Sequence, residues 1–255
     1  LEYEAQPTDI DKSLLTVLFI HGTGGDREDW RAQLEASMVP AIRVALELPG
    51  HGRSEPPGES TVDAYAGWVR DFVEALGLER VMLVGNSLGS AITQWIAISQ
   101  PSWLVAIGLV GAGARLRVHP AFVEGILQDR EQALVGLAQW ALSANADPAL
   151  QNAMREKYKQ ASAELIHGDL SACNAFDVMP QIGSVSLPTW IVVGADDMLT
   201  PIKYSNFLHE TIKGSVLTVI PGAGHLVMME KPTQFNERLA SFLSERFFDV
   251  QRPAR

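Results

Sequence analysis

The chain has a single cysteine, Cys173, among 255 residues. An internal disulfide is therefore impossible, and a thiolate zinc site lacks its companion ligands. One thiol fits a reducing compartment, so a cytoplasmic location is expected. Positive charge is also short: 20 Lys and Arg stand against 30 Asp and Glu, a formal net charge of −10, and residues 1–60 alone hold 11 acids and 5 bases. Such a chain offers no cationic footprint to a phosphate backbone, which argues against nucleic acid as a partner. At the N-terminus, Leu1-Glu2-Tyr3-Glu4 has neither a basic region nor a following apolar run, so no signal peptide is legible.

Apolar runs of the membrane type are missing too, although residues 81–114 raise the question. These 34 consecutive residues contain no Asp, Glu, Lys or Arg, leaving all 50 charges in the other 221 positions. Their middle reads Ser99-Gln100-Pro101-Ser102, a polar turn signal that splits the stretch into pieces shorter than the roughly 20 apolar residues a bilayer requires. The stretch reads as buried core, and no membrane span is expected.

What is present is an ordinary globular composition, 47% hydrophobic and 20% charged, enough for one large domain or a domain with an insertion. Short Val/Ile/Leu-rich runs alternate with stretches of helical spacing, the pattern of βα units feeding a mostly parallel sheet with helices on both faces. Strands are predicted at 15–20, 42–48, 80–84, 105–110, 189–193 and 216–220. A helix is predicted over 61–76, where Val62, Tyr65, Val69, Phe72, Val73 and Leu76 recur at spacings of three and four, with Ser60 or Thr61 as cap and Gly77 as terminator. The alternation fails over 115–188, which holds apolar residues at helical spacing and no convincing strand. This reads as an insertion of three or four short helices, one of them starting at Pro148, in a core made of 1–114 and 189–255. The 246–255 end reads as a frayed tail.

Gly85-Asn86-Ser87-Leu88-Gly89 is a G-x-S-x-G pentapeptide between the predicted strand 80–84 and the helical run 90–98. In a strand-turn-helix of this kind the serine takes a strained conformation, and the residues two before and two after it must be small because the chain passes close by. The hydroxyl is then pushed out at the carboxyl end of a central strand. Around it, His21-Gly22-Thr23-Gly24-Gly25 follows the first predicted strand and Leu48-Pro49-Gly50-His51-Gly52-Arg53-Ser54 the second.

In these motifs and their order the chain resembles the α/β-hydrolases of the compact, cap-bearing esterase type, from about Leu15 to Phe247. The resemblance implies a helical cap after the strand at 105–110, where the insertion lies. Such relatives usually have two strands before the His-Gly turn, so at least one edge strand is expected to be missing here. It also implies a Ser-acid-His order. Ser87 is the expected nucleophile and His225, in Pro221-Gly222-Ala223-Gly224-His225, the base. The other five histidines read as structural: His21 and His51 as turn residues, His119, His167 and His209 as single residues on helices or loops. For the acid, the family pattern G-x-x-D-x-x-x-P laid on Gly194 to Pro201 selects Asp197 and leaves Asp196 as a capping or solvent-facing neighbour. A rival acid position after the preceding strand reads Gly111-Ala112-Gly113-Ala114, with no carboxylate.

The oxyanion donors implied are the backbone N–H groups of Leu88 and Thr23, with Gly24 as the alternative to Thr23. Substrate contacts are expected from Trp140, Phe122, Phe176, Leu199 and Leu226, with Met179 and Val227 as further candidates, although such residues at helical spacing are commonly plain core. Arg115 and Arg117 leave room for a single substrate carboxylate. No cofactor and no metal is implied.

The expected activity is hydrolysis of an apolar ester or related small acyl substrate through an acyl-enzyme. Rival readings are an enol-lactone hydrolase, a C–C bond hydrolase of the meta-cleavage-product type, and a slow-turnover small-molecule receptor. The Gly85-Asn86-Ser87 elbow resembles that of the C–C hydrolases, but the Trp they carry shortly after the histidine is replaced by Leu226-Val227-Met228-Met229. Neither a monomer nor a homodimer is selected by the sequence.

Overall fold

The structure is a computed structural model and describes residues 1–36 and 39–248. Its strands are β1 (Tyr3–Gln6), β2 (Thr16–Ile20), β3 (Ile42–Leu46), β4 (Val81–Asn86), β5 (Leu104–Val110), β6 (Thr189–Gly194) and β7 (Val216–Ile220). They form one sheet in the order β1-β3-β2-β4-β5-β6-β7. β1 runs antiparallel to β3, and every other pairing is parallel. The helices are α1 (Arg31–Glu35), α2 (Val62–Leu76), α3 (Leu88–Ser99), α4 (Pro120–Val123), α5 (Gly125–Gln128), α6 (Arg130–Ala141), α7 (Pro148–Gln160), α8 (Ala163–Ala175), α9 (Ile202–Thr211), α10 (Val227–Glu230) and α11 (Pro232–Leu243).

Successive side chains of a strand point to opposite faces, so each central strand feeds two cores. On β2, Leu18 and Ile20 join Tyr65, Val69 and Val73 of α2 and Ile92 and Ile96 of α3. Val17 and Phe19 join Trp30 and, from α11, Phe235, Leu239 and Phe242. Both sheet faces are thus covered, and the charge-free stretch, β4 through β5, lies at the sheet's centre. Among the described residues no helix is long and apolar enough to cross a membrane. Local chemistry sets the ends of α2: the Thr61 hydroxyl accepts from Ala64 N–H, and Gly77 takes φ +64° to close the last turn.

Three differences from the sequence reading have physical causes. β1 was not predicted, because Tyr-Glu-Ala-Gln is short and half polar; it is held at the edge by pairing with β3 and by Tyr3 packing edge-on to Phe72. β4 runs to Asn86 and α3 begins at Leu88, closer together than the predicted strand 80–84 and helical run 90–98, because Ser87 alone makes the turn. The helical stretch holds five helices rather than three or four, since breaks at Glu124 and Asp129 divide what reads as one amphipathic run. α7 starts at Pro148, as predicted, and the Asp147 side chain caps it by accepting Ala149 N–H. Residues 249–255 of the predicted frayed tail lie outside the described residues.

The helical stretch leaves and rejoins the sheet through one neck. Arg115 and Asp177 form an antiparallel bridge, Val178 N–H donates to Ala114 O, and Arg115 Nε donates to Asp177 Oδ2 at 2.6 Å.

Candidate active site

At the carboxyl end of β4, Ser87 adopts φ +52°, ψ −113°, a region that L-residues avoid. The surroundings hold it there. Its N–H donates to Val110 O, while its carbonyl accepts from the Ser90 and Ala91 amides and from the Ser90 hydroxyl. A Cβ on Gly85 would run into the Gly89 carbonyl, and one on Gly89 into the Ile20 carbonyl. That is why the elbow carries glycine at both places.

His225 and Asp197 arrive from the loops after β7 and β6. His225 Nδ1 lies 2.9 Å from Asp197 Oδ2. The carboxylate is fixed in turn: Oδ1 accepts the Leu199 and Thr200 amides at 2.9 and 2.8 Å, and Oδ2 accepts the Thr200 hydroxyl at 2.8 Å. Both side chains are buried, whereas Asp196 is exposed. An acceptor on the Nδ1 side places the ring proton on Nδ1 and leaves the lone pair on Nε2. Among the described residues, that buried Nε2 has no hydrogen-bond partner. The Asn86 amide donates to His225 O at 3.2 Å, tying the elbow to the histidine loop. Glu230 holds the same loop from behind, its Oε1 accepting Gly224 N–H and its Oε2 accepting Ser143 N–H from the helical stretch.

Ser87 and His225 open into one cavity of about 430 Å³, a size suited to a small organic ligand. Trp140, Phe122, Leu199 and Leu226 line it, as expected, and so do Leu137 and Leu170. Phe176 is placed elsewhere: it packs in the core below the neck, where its carbonyl accepts Leu116 N–H. Val227 is likewise core, and Met179 is exposed. Arg117 is on the cavity wall, whereas Arg115 is spent on Asp177.

The two proposed oxyanion positions differ in how much is fixed. Leu88 begins α3, where a first-turn N–H has no partner within its own helix. In the other turn, Gly24 N–H donates to Asp169 Oδ2 at 2.9 Å, which commits it elsewhere. Among the described residues no hydrogen bond reaches the Thr23 amide.

Three polar features of the site were not read from the sequence. Thr200 touches both Asp197 and, at 3.1 Å, His225 Nδ1. Lys157 of α7 pairs with Asp26 and Asp29 below the cavity, at 2.8 and 2.5 Å. Burial dominates at Asp29 and raises its carboxyl, while at Asp26 burial is outweighed by the Lys157 charge and hydrogen bond together with the Glu28 amide, and the carboxyl is lowered. Asp169 of α8, fully buried, accepts Tyr65 OH at 2.6 Å and binds His51 Nε2 at 2.9 Å besides Gly24 N–H. Only the position of Thr200 beside Asp197 carried a local signal; the partners of Lys157 and Asp169 lie more than a hundred residues away in sequence. Among the described residues no group of three or more His, Cys, Asp or Glu is arranged to hold a metal ion.

Known proteins share both the sequence pattern and the architecture. A solved structure of a thermophilic esterase superposes with a TM-score of 0.83 at 35% identity, covering 91% of this chain and 90% of that one. The 3-oxoadipate enol-lactonase 2 of Acinetobacter baylyi is 26% identical over 89% of this chain and 88% of its own length. The dihydrolipoyllysine-residue acetyltransferase component of the acetoin cleaving system of Cupriavidus necator is 28% identical over 89% of this chain, which spans 63% of that protein. Residues 17–238, from β2 through most of α11, match the profile of the Alpha/beta hydrolase family, and the chain belongs to that family.

Proposed function

We propose that this chain is a serine hydrolase that cleaves an apolar carboxylic ester or related acyl substrate through an acyl-enzyme. Ser87 Oγ attacks the carbonyl carbon while His225 Nε2 takes the hydroxyl proton. The tetrahedral intermediate collapses, the bond to the leaving group breaks, and His225 returns the proton to the departing oxygen. Water then adds to the acyl carbon with the same base, releasing the acid and regenerating Ser87. Asp197, oriented by Thr200, keeps the His225 proton on Nδ1 and stabilises the imidazolium. The Leu88 and Thr23 amides are assigned to the oxyanion. The helices within 115–188 serve as a cap, with Phe122, Leu137, Trp140 and Leu170 as the apolar wall for the acyl chain.

One observation carries this reading: a histidine held on Nδ1 by a buried carboxylate has its Nε2 unpartnered in the same cavity as a strained serine. Likeness to an esterase of known structure supports the reaction class. The test is a p-nitrophenyl ester series from acetyl to dodecanoyl. The expected result is a burst of p-nitrophenolate and a chain-length optimum, both lost in Ser87→Ala; full turnover by that variant would sink the reading. Enol-lactone hydrolysis is the second reading, favoured by likeness to an enol-lactonase along most of that protein's length. An enol lactone in the same assay separates the two by kcat/KM.

A further inference from the structure

We propose that Asp169, on α8 of the helical stretch, is a positioning residue for the oxyanion turn, so that the cap side of the molecule builds part of the catalytic apparatus. The inference rests on the assignment of Thr23 N–H as an oxyanion donor. Gly22 to Gly25 is a four-residue turn closed by Gly25 N–H donating to Gly22 O at 3.1 Å. Gly24 has φ +61° and Thr23 is not among the residues of positive φ, which together mark a type II turn. Types I and II differ by a flip of the central peptide, here the one joining Thr23 to Gly24. The N–H of that peptide is the group Asp169 binds, at 2.9 Å. An acceptor at this point holds the peptide in its type II orientation and thereby fixes the backbone of Thr23.

The rest of α8 agrees. One turn beyond Asp169, Cys173 Sγ reaches the Thr23 hydroxyl at 4.0 Å, so two successive turns of the helix grip two successive residues of the loop. On the far side Tyr158 of α7 fills the space over Gly24. A carboxylate with no exposure is costly to bury, and an apolar side chain would fill the volume without that cost. What an apolar residue cannot do is accept the Gly24 N–H. Tyr65 and His51 supply the further donors that make the buried charge tolerable, at 2.6 and 2.9 Å.

The test uses the full chain, with Asp169→Ala, Asp169→Asn and Tyr65→Phe compared by steady-state kinetics on a p-nitrophenyl ester, by inhibition with phenylboronic acid, and by melting temperature. Phenylboronic acid forms a tetrahedral adduct on the serine and so samples the oxyanion donors. In Asp169→Ala, kcat is expected to fall about 10- to 100-fold, with KM within about twofold and the boronate Ki raised by the same factor as kcat falls. Asn, with one carbonyl oxygen in place of the carboxylate, is expected to lose about fivefold. Tyr65→Phe removes a partner from the other carboxylate oxygen and is expected to lower the melting temperature while keeping kcat within about twofold. A folded Asp169→Ala with parental kcat and boronate affinity would overturn the proposal. Should that variant not fold, an Asp169→Asn whose activity falls no further than that of Tyr65→Phe does the same. Failure of the serine reading is distinct, because it is seen as an absent burst in the parent protein before any variant is compared.

Discussion

Among the described residues are two buried His–Asp pairs with the same 2.9 Å contact, and they differ in what remains unused. His51 gives both ring nitrogens to protein, Nδ1 to Pro49 O and Nε2 to Asp169. His225 gives only Nδ1, and its Nε2 is left without a partner at a cavity wall. A histidine–carboxylate contact therefore does not identify a base. A base needs spare capacity aimed at space a substrate can enter, and the sealed pair is a fastening.

The comparison can be broken by substitution, and the largest effects belong to the open pair. His225→Ala and Ser87→Ala are each expected to lower kcat by about 10⁴- to 10⁶-fold with the fold retained, checked by turnover of an activated ester alongside circular dichroism. Asp197→Asn is expected to cost about 10²- to 10⁴-fold and Asp196→Asn less than twofold; the reverse order would move the acid to the exposed neighbour. Thr200→Val, which removes one support of the carboxylate, should cost about tenfold in kcat with little change in KM.

For the sealed pair the readout is stability. His51→Ala leaves a buried carboxylate short of a donor, and a loss of about 3–5 kcal/mol in denaturant unfolding is expected. His225→Ala should cost less, because Asp197 keeps three other donors and the cavity admits water.

A pH series sharpens the contrast further. His21 lies beside His51, ring centroids 4.7 Å apart and the planes tilted by 51°, with Leu48 N–H donating to its Nε2. Burial, followed by the neighbouring His51, depresses its pKa to about 3. The unfolded chain then binds the proton first, so the stability from a neutral His21 is complete above about pH 6.5 and lost as pH falls toward 3. His51 runs the other way. Burial pushes its pKa down, but the Asp169 charge and hydrogen bond prevail and raise it, so its contribution is complete below about pH 6.5 and fades as pH rises through the raised value. Melting curves of His21→Asn and His51→Gln across this range should differ from the parent in opposite directions.

The sheet was legible because its central strands are covered on both faces, which leaves Val/Ile/Leu-rich runs such as Thr16–Ile20 and Leu104–Val110. The elbow was legible because no Cβ fits at either glycine, Gly85 lying against the Gly89 carbonyl and Gly89 against the Ile20 carbonyl of the neighbouring strand, which fixes the G-x-S-x-G spacing. Asp197 was separable from Asp196 by counting along one loop. Asp169 was not legible: in Ala-Glu-Leu-Ile-His-Gly-Asp-Leu it reads as an ordinary charge on a helix, and its partners lie 104, 118 and 145 residues away. Phe176 failed for the complementary reason, since helical spacing says that an aromatic is buried but not whether it faces core or cavity.

The neck at Arg115 and Asp177 has a consequence for engineering. Because the chain leaves and rejoins the sheet side by side there, the intervening helices are expected to be exchangeable as a cassette with the pairing of β5 and β6 kept. A transplanted cassette would have to meet the body at several fixed points, among them a cation opposite Asp26 and Asp29, an acceptor for Gly24 N–H and an N–H for Glu230.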